Sequence, residues 1–536
     1  RRARRPARTH HSARTSLLHA RTRPSPPGTH ASRPRPRPSF RKEPVLVMTA
    51  PSARPRARRG PLVAALLSAL ALTATAVPAG AAPTAGFAPV PPHNPYAGPD
   101  GTATMHGDTG SSDTTPLAGP GAGNLSSKRV ALASACPTVL VGSDGYPVVL
   151  CTPILGQVPT VHLLDPADGS SLTSLRLTKG SLLGGVYAYL DHEDRLVVVD
   201  GSRSLLRVAH RKDASGKWRL SVDHSLSLAS AVPADDAVTG LSPDWRGRVW
   251  FATGNGVVGL ADDRTGRVST LRLPAGERIA NSISTAPEGT AVTSTHATYL
   301  LTADADGTPA IAWRQAYDRG RARKPGLLSW GSGSTPTFLG PKTGTDYVAI
   351  VDNADTTVRL KVYRTDGGAE ICSIPVLQAA GGPGSENSPI GAGDSVFVAG
   401  TYGYPYPALP DGAGPSVPSS ADFAGGLTRV DIRSDGTGCA TVWDNTLRSA
   451  AVPKLSTATN TLHTVVRDPL VPGTGGTGVL DPYRYVQIDP ETGRVTRSRQ
   501  VGVGALYDTL QMAGTVAPDG SYLQGTVTGV LRITAG

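Results

Sequence analysis

An all-β fold, a single β-propeller of about eight four-stranded blades with seven as the alternative, is what this chain predicts. Three observations lead there. First, one short unit keeps returning: an apolar strand, an Asp-led turn closed by Gly, then a second strand. Its clearest copies are Asp165–Gly169, Asp262–Gly266 and Asp489–Gly493, with looser ones at Asp366–Gly368 and Asp431–Gly436. The Asp side chain bonds nearby backbone amides and the Gly takes the positive φ of a tight turn. Second, from about Ser127 onward short Val-, Leu-, Thr- and Tyr-rich runs alternate with Gly, Asp, Pro and Ser, and no long helical period appears. Third, the patterned region 127–536 is too long for one small sandwich, whereas a propeller grows by adding blades.

The blades divide at their outer strands. Leu172–Leu177 ends the first, Trp218–Leu228 the second, Val268–Leu273 the third and Ala310–Tyr317 the fourth. Ile371–Leu377 ends the fifth, Cys439–Asn445 the sixth and Val495–Val501 the seventh. Tyr507–Thr534 supplies three more strands without an outer one, which Lys128–Ser134 is expected to donate from the N-terminal side. Such a closure leaves no open sheet edge.

Ahead of the propeller the composition changes. Residues 1–60 carry 17 of the 53 Lys and Arg and a single acid, Glu43, so the remainder has 36 bases against 40 acids. The overall charge of +12 therefore belongs to the leader, and the mildly acidic body is not expected to bind nucleic acid. Arg58 and Arg59, the apolar run Pro61–Leu72 and Ala79-Gly80-Ala81 read as a signal peptide over 48–81, opening at Met48. Residues 1–47 read as a disordered segment upstream of the true start. Residues 82–126, rich in Gly, Pro, Thr and Ala, read as a linker. The expectation is a secreted, extracellular, monomeric protein with no membrane span after cleavage.

Export favours disulfides among the four cysteines. Cys136 and Cys151 flank a hairpin-like stretch, and Cys372 and Cys439 each follow a repeat turn in consecutive units. Cys136–Cys151 and Cys372–Cys439 are the expected bridges, with the other pairings left open.

Through the turns Asp262–Gly266 and Asp489–Gly493, each followed by an outer strand, the chain resembles the quinoprotein alcohol dehydrogenase-like superfamily of propellers with pyrroloquinoline quinone-like repeats. Through Ser329–Thr337 and Asp352-Asn353-Ala354-Asp355 it also resembles secreted propeller proteins of actinobacteria and fungi. The first resemblance implies the fold over about 127–536. Active members with the quinone would be expected to carry a vicinal disulfide and a Trp platform. This chain has no adjacent cysteines, and its turns seldom continue into Gly-x-x-x-Trp.

Propeller geometry assigns loops to faces. Turns between the first and second and the third and fourth strands of a blade share one face. Turns between the second and third strands, and the connections between blades, share the other. The repeat turns belong to the first face and are structural. The second face collects Asn281, the basic loop Arg319, Arg321, Arg323 and Lys324, Trp330, Asp352, Asn353, Asp355, Glu386 and Asn387, with Tyr402, Tyr404 and Tyr406 on the insert Thr401–Gly425. These come from blades four to six, and long loops on a rigid scaffold commonly carry function. Asp352 and Glu386 are the candidate catalytic carboxylates for a glycosidic bond. Asp352, Asp355 and Glu386 are candidate Ca2+ ligands. Asn281, Arg321, Arg323, Trp330, Asn353, Asn387, Tyr402 and Tyr404 are candidate ligand-binding residues, the aromatics as a stacking platform. His296 and His463 are the histidines placed to act as bases.

Three functions fit these residues: a binding protein for an extracellular glycan, cell-wall component or anionic small molecule; a carbohydrate-active hydrolase or lyase using Asp352 and Glu386; and a quinone-dependent dehydrogenase.

Overall fold

The computed structural model describes residues 86–180 and 187–536. The expected leader, and the segment before it, lie outside the described residues. The described chain folds into eight antiparallel sheets taken in sequence order, an eight-bladed propeller, and the seven-blade alternative falls. The first blade runs Ser134–Val141, Pro147–Pro153, Thr160–Leu164 and Ser171–Arg176 from axis to rim. Its inner strands are buried on both faces and read as continuous apolar runs, while the outer strand alternates. The core therefore lies between blades: Leu140, Val148 and Val161 of the first pack against Leu190, Leu196 and Val198 of the second.

The repeat turn behaves as its chemistry requires. The amide of Ala167 donates to Asp165 Oδ1 at 2.8 Å and that of Glu491 to Asp489 Oδ1 at 2.8 Å. Gly493, at φ 68°, also lets the turn approach the preceding blade: a Cβ there would lie 2.7 Å from the ring of Trp443, whose indole donates to Pro490 O at 2.9 Å. Gly368 and Trp313 repeat this contact one pair of blades earlier. Two disulfides add staples. Cys136–Cys151 joins neighbouring strands of blade one, and Cys372–Cys439 ties the outer strands of blades five and six.

The ring closes as expected, with a shifted strand. Leu125–Ala131 pairs antiparallel with the C-terminal Gly529–Ala535, Leu125 opposite Ala535. The predicted Lys128–Ser134 was three residues late, because Ala133, at φ 51°, breaks the strand and Ser134 already opens blade one.

The segment expected to be a linker differs most. From Phe87 to Thr115 it is largely buried. It crosses the turn face and then enters the axis, where Thr285, Phe338, Gly391 and Leu455 donate their amides to the carbonyls of Thr109, Gly110, Ser112 and Asp113. Four successive blades thus each spend one inner-strand amide on it. Thr114–Thr115 then adds a short parallel strand beside Lys454–Ser456. Small residues suit this path, since the inner edges of the ring present unpaired backbone groups that a narrow channel must satisfy. Asp113 meets Lys454 Nζ at 3.0 Å with both side chains wholly buried, and also His106 Nδ1 at 2.9 Å and Ser388 Oγ at 2.7 Å. Burial alone would raise the Asp113 carboxyl, but His106 and Lys454 hold it below its ordinary value.

Candidate functional site

The connections between blades and the turns between second and third strands do share one face, and there they enclose a cleft of about 990 Å3. Its walls come from Asp200–Arg203 and Asp235–Thr239 of the second and third blades, Arg278–Ala280 and Thr295–His296 at the fourth, and Leu328–Trp330. Pro410–Gly414, from the insert of blade six, reaches across to complete it. A rigid ring thus carries a concave site of the size that ligands commonly occupy. Four carboxylates (Asp200, Asp235, Asp236, Asp411) and four cations (Lys179, Arg203, Arg278, Arg319) line it.

Trp330 forms one rim and is 39% exposed. Its indole donates to Arg319 O at 3.1 Å, and the Arg319 guanidinium lies 3.8 Å from the ring centroid. Arg319 Nη1 also meets His296 Nε2 at 2.8 Å, the other ring nitrogen facing Thr295 Oγ1. Burial, and then the charge of Arg319, hold His296 below its ordinary value, so it serves as a neutral acceptor that fixes the arginine. His463 lies elsewhere, buried with Nδ1 2.7 Å from Tyr485 Oη, and burial pushes it down to about 4.

The other expected site residues separate into a supporting layer. Glu386 is buried beneath the cleft floor, accepting from Asn281 Nδ2 at 2.7 Å and from the amide of Leu328 at 2.9 Å. Burial raises its carboxyl to about 7, against those two hydrogen bonds. Asn281 in turn accepts from Tyr187 Oη at 3.0 Å, and Asn387 bonds Gln511 at 3.2 Å. Asp352 caps its own loop, taking the amides of Arg359 at 2.8 Å and Ala354 at 3.3 Å, and burial raises it to about 6. Asn353 Nδ2 holds the carbonyls of Arg319 and Ala322, and Asp355 is paired with Arg321 at 2.6 Å. Neither Asp352 nor Glu386 lines the cleft, so the expected pair of facing carboxylates is not assembled there. The physical reason is that each is turned inward to hold a connection, Asp352 through backbone amides and Glu386 through the Leu328 amide and the Asn281 side chain.

Arg323 and Lys324 of the basic loop and Tyr404 are likewise used internally. Arg323 is buried and donates to Leu327 O at 2.8 Å and Gly414 O at 2.9 Å, fastening the insert. Lys324 donates to Pro383 O at 2.7 Å and to Ala354 O, and burial lowers it to about 8. Tyr404 is buried, donates to Asp508, and packs edge-on against Tyr406 and Phe423. Tyr402 packs near Gly382 and Gly384. The expected platform therefore reduces to Trp330.

The axis does not fit the quinone that the superfamily resemblance implies. The axis is filled by the N-terminal segment, and the void left beside His106 and Tyr187 is about 20 Å3, room for roughly one water and not for a tricyclic quinone. Among the described residues no group of three or more His, Cys, Asp or Glu stands where a metal ion could be held, so Asp352, Asp355 and Glu386 do not converge as a Ca2+ cage.

Sequence reasoning missed Asp235, Asp236 and Arg278. The face rule that found Trp330 covers them too. Asp235 and Asp236 sit on the connection into blade three, outside the span from four to six, whereas Arg278 sits on the same connection as Asn281 and was passed over. The arm Pro410–Gly414 was legible only as a long insert, because its reach is set by where Arg323 anchors it.

No family model and no curated protein matches the chain. Solved structures do. The quinohemoprotein alcohol dehydrogenase from Comamonas testosteroni is 13% identical, covers 82% of this chain and 81% of its own, and superposes with a TM-score of 0.50. BamB from Moraxella catarrhalis is 15% identical over 66% of this chain and 94% of its own, with a TM-score of 0.35. A streptogramin B lyase is 10% identical over 77% and 98%, with a TM-score of 0.38. At such identities the likeness is one of fold, and by its own sheets the chain is an eight-bladed β-propeller.

Proposed function

We propose that this chain is an extracellular binding protein that takes a glycan or cell-wall component in the loop-face cleft. One observation carries the reading: a half-exposed Trp330, stacked by Arg319, stands at the rim of a cleft large enough for a ligand on a rigid ring. A sugar ring offers the flat apolar face that an indole accepts, with hydroxyls for the polar wall. The two disulfides suit an oxidising compartment. The binding region thus moves from blades four to six to blades two to four, capped by the insert of blade six. A hydrolase or lyase reading draws on Glu386, whose raised carboxyl would suit a general acid, but it needs the floor loop Leu328–Gly333 to open.

The test is isothermal titration of the folded protein with neutral and uronic-acid oligosaccharides and wall fragments, with product analysis of each mixture. Binding that weakens about tenfold in Trp330→Ala, roughly 1.4 kcal/mol, is the expected result. Binding unaffected by that change would move the site elsewhere, and product formation abolished by Glu386→Gln would favour the hydrolase.

A further inference from the structure

An indole covers the repeat turn of the next blade at two places, and a third turn of the same make meets a valine instead. Trp313, on the outer strand of blade four, lies against Gly368 of blade five, and Trp443, on that of blade six, against Gly493 of blade seven. In both, Nε1 donates to the carbonyl of the second turn residue, Thr365 O at 2.8 Å and Pro490 O at 2.9 Å. The turn of blade one is closed alike. Gly169 donates its amide to Asp165 O at 2.8 Å, as Gly493 does to Asp489 O at 2.8 Å, and Pro166 holds the second position. What faces Gly169 from the outer strand of blade eight is Val130: a Cβ at residue 169 would lie 2.6 Å from Val130 Cγ2.

The smaller side chain leaves space. A pocket of about 330 Å3 lies between blades eight and one, lined by Val130 and Pro166 together with Leu164, Leu523 and Val530 of the apolar core. Close-packed interiors rarely keep such a void, and its volume is that of a ligand pocket. An apolar cavity of about 150 Å3 already accepts a benzene ring, so this one has room for two fused rings. Among the described residues no donor meets Pro166 O, the carbonyl that corresponds to the indole acceptors Thr365 O and Pro490 O. The charged groups lining the pocket are engaged: Arg532 pairs with Asp519 at 2.6 Å, and Asp165 accepts the amide of Ala167 at 2.8 Å. The pocket therefore suits a neutral guest.

We propose that this pocket binds a small neutral indole-type compound, its ring beside Val130 and Gly169 and its N–H on Pro166 O. The chain itself seats such a ring against the same turn twice. Pro147, Pro166 and Pro518 border the pocket, and proline has no N–H with which to hold a partner's backbone. The site thus offers a seat for a ring and no track for a peptide. Its turns belong to the face opposite the cleft, so the proposal goes beyond the glycan reading and stands independently of it.

The experiment titrates the folded protein with indole, with 1-methylindole, which lacks the donor, and with N-acetyltryptophanamide. It follows the methyl NMR signals of Val130, Leu164, Leu523 and Val530. Expected is a saturable shift of those methyls by indole, with 1-methylindole bound at least tenfold more weakly. Val130→Trp is expected to seat its own ring as Trp313 and Trp443 do, to melt higher than the parent, and to bind indole at least tenfold more weakly. Indole binding that leaves those methyls unmoved, or that survives Val130→Trp, overturns the site. Equal binding of 1-methylindole overturns the role of Pro166 O. Tighter binding of N-acetyltryptophanamide than of indole overturns the free compound in favour of a partner's tryptophan. Should Val130→Trp fail to fold, the methyl shifts of the parent decide alone, and silence toward every probe overturns the proposal.

Discussion

Glu386 gives the sharpest test of the electrostatics beneath the cleft. Its carboxyl is raised from 4.5 to about 7 by burial, with Asn281, Leu328 and Arg323 opposing. A carboxyl raised on folding binds its proton more tightly in the folded state. Its contribution is therefore fully present below the unfolded value and is lost as pH rises through the folded one. At about 1.4 kcal/mol for each pH unit, the loss totals about 3 kcal/mol, most of it between pH 5 and pH 8. Glu386→Gln removes the titration and keeps a carbonyl for one of the two donors, Asn281 or Leu328, while the other meets the amide NH2, a loss that is the same at every pH. For a folded body of this size such a difference moves the melting temperature by roughly 3 °C. The assay is thermal unfolding of both proteins at pH 5 and pH 8, read as the difference of differences, which cancels the fixed effect of the substitution and the titration of other groups such as Asp352. The expected result is that Glu386→Gln gains roughly 3 °C on the parent between the two pH values. An equal offset at both would refute the argument, because it would mean that Glu386 ionises as an exposed carboxyl does.

Two further outcomes follow from the fold. Replacing Cys372 and Cys439 together by Ser frees a loop of 67 residues and is expected to cost about 4 kcal/mol, visible as a lower melting temperature that no longer responds to reductant through this bridge. Asp113→Asn leaves Lys454 buried with half its partners gone and is expected to cost about 3–5 kcal/mol, whereas adding Lys454→Met should restore much of it in a denaturation cycle.

The ring was legible because its signals are local. An Asp-to-Gly turn and a strand of period two are written within ten residues, so the outer strands, both bridges and the donated closing strand could be placed before any geometry was known. Where a local rule had a competitor the placement slipped, as at Ala133, whose left-handed backbone ends the closing strand early. The axial segment was illegible for a different reason. Gly, Thr and Ser without a period look the same whether they are solvated or threaded through a channel, and only the inward amides of four blades decide between the two. The site sits between these cases. The face rule located Trp330 and the loop system. It could not tell that Asp352, Arg323 and Tyr404 would be consumed in holding loops, since that depends on which connection each happens to meet. Asp236 and Arg278 are ordinary loop charges in sequence, and only the folded connections bring them to one cleft.

The closing strand has a consequence for the order of events in folding. Leu125 must find Ala535, and Thr114 must lie beside Leu455. The N-terminal stretch is synthesised first yet has nothing to pair with until the last blades exist. Seven blades can assemble successively from neighbouring hairpins, which form fast because their contacts are close in sequence. The final step joins ends some four hundred residues apart, and until then the incomplete ring has two open edges and an empty axis. Its commitment to the folded state therefore waits on the strand Gly529–Ala535, and loss of that strand would be felt across the whole circle.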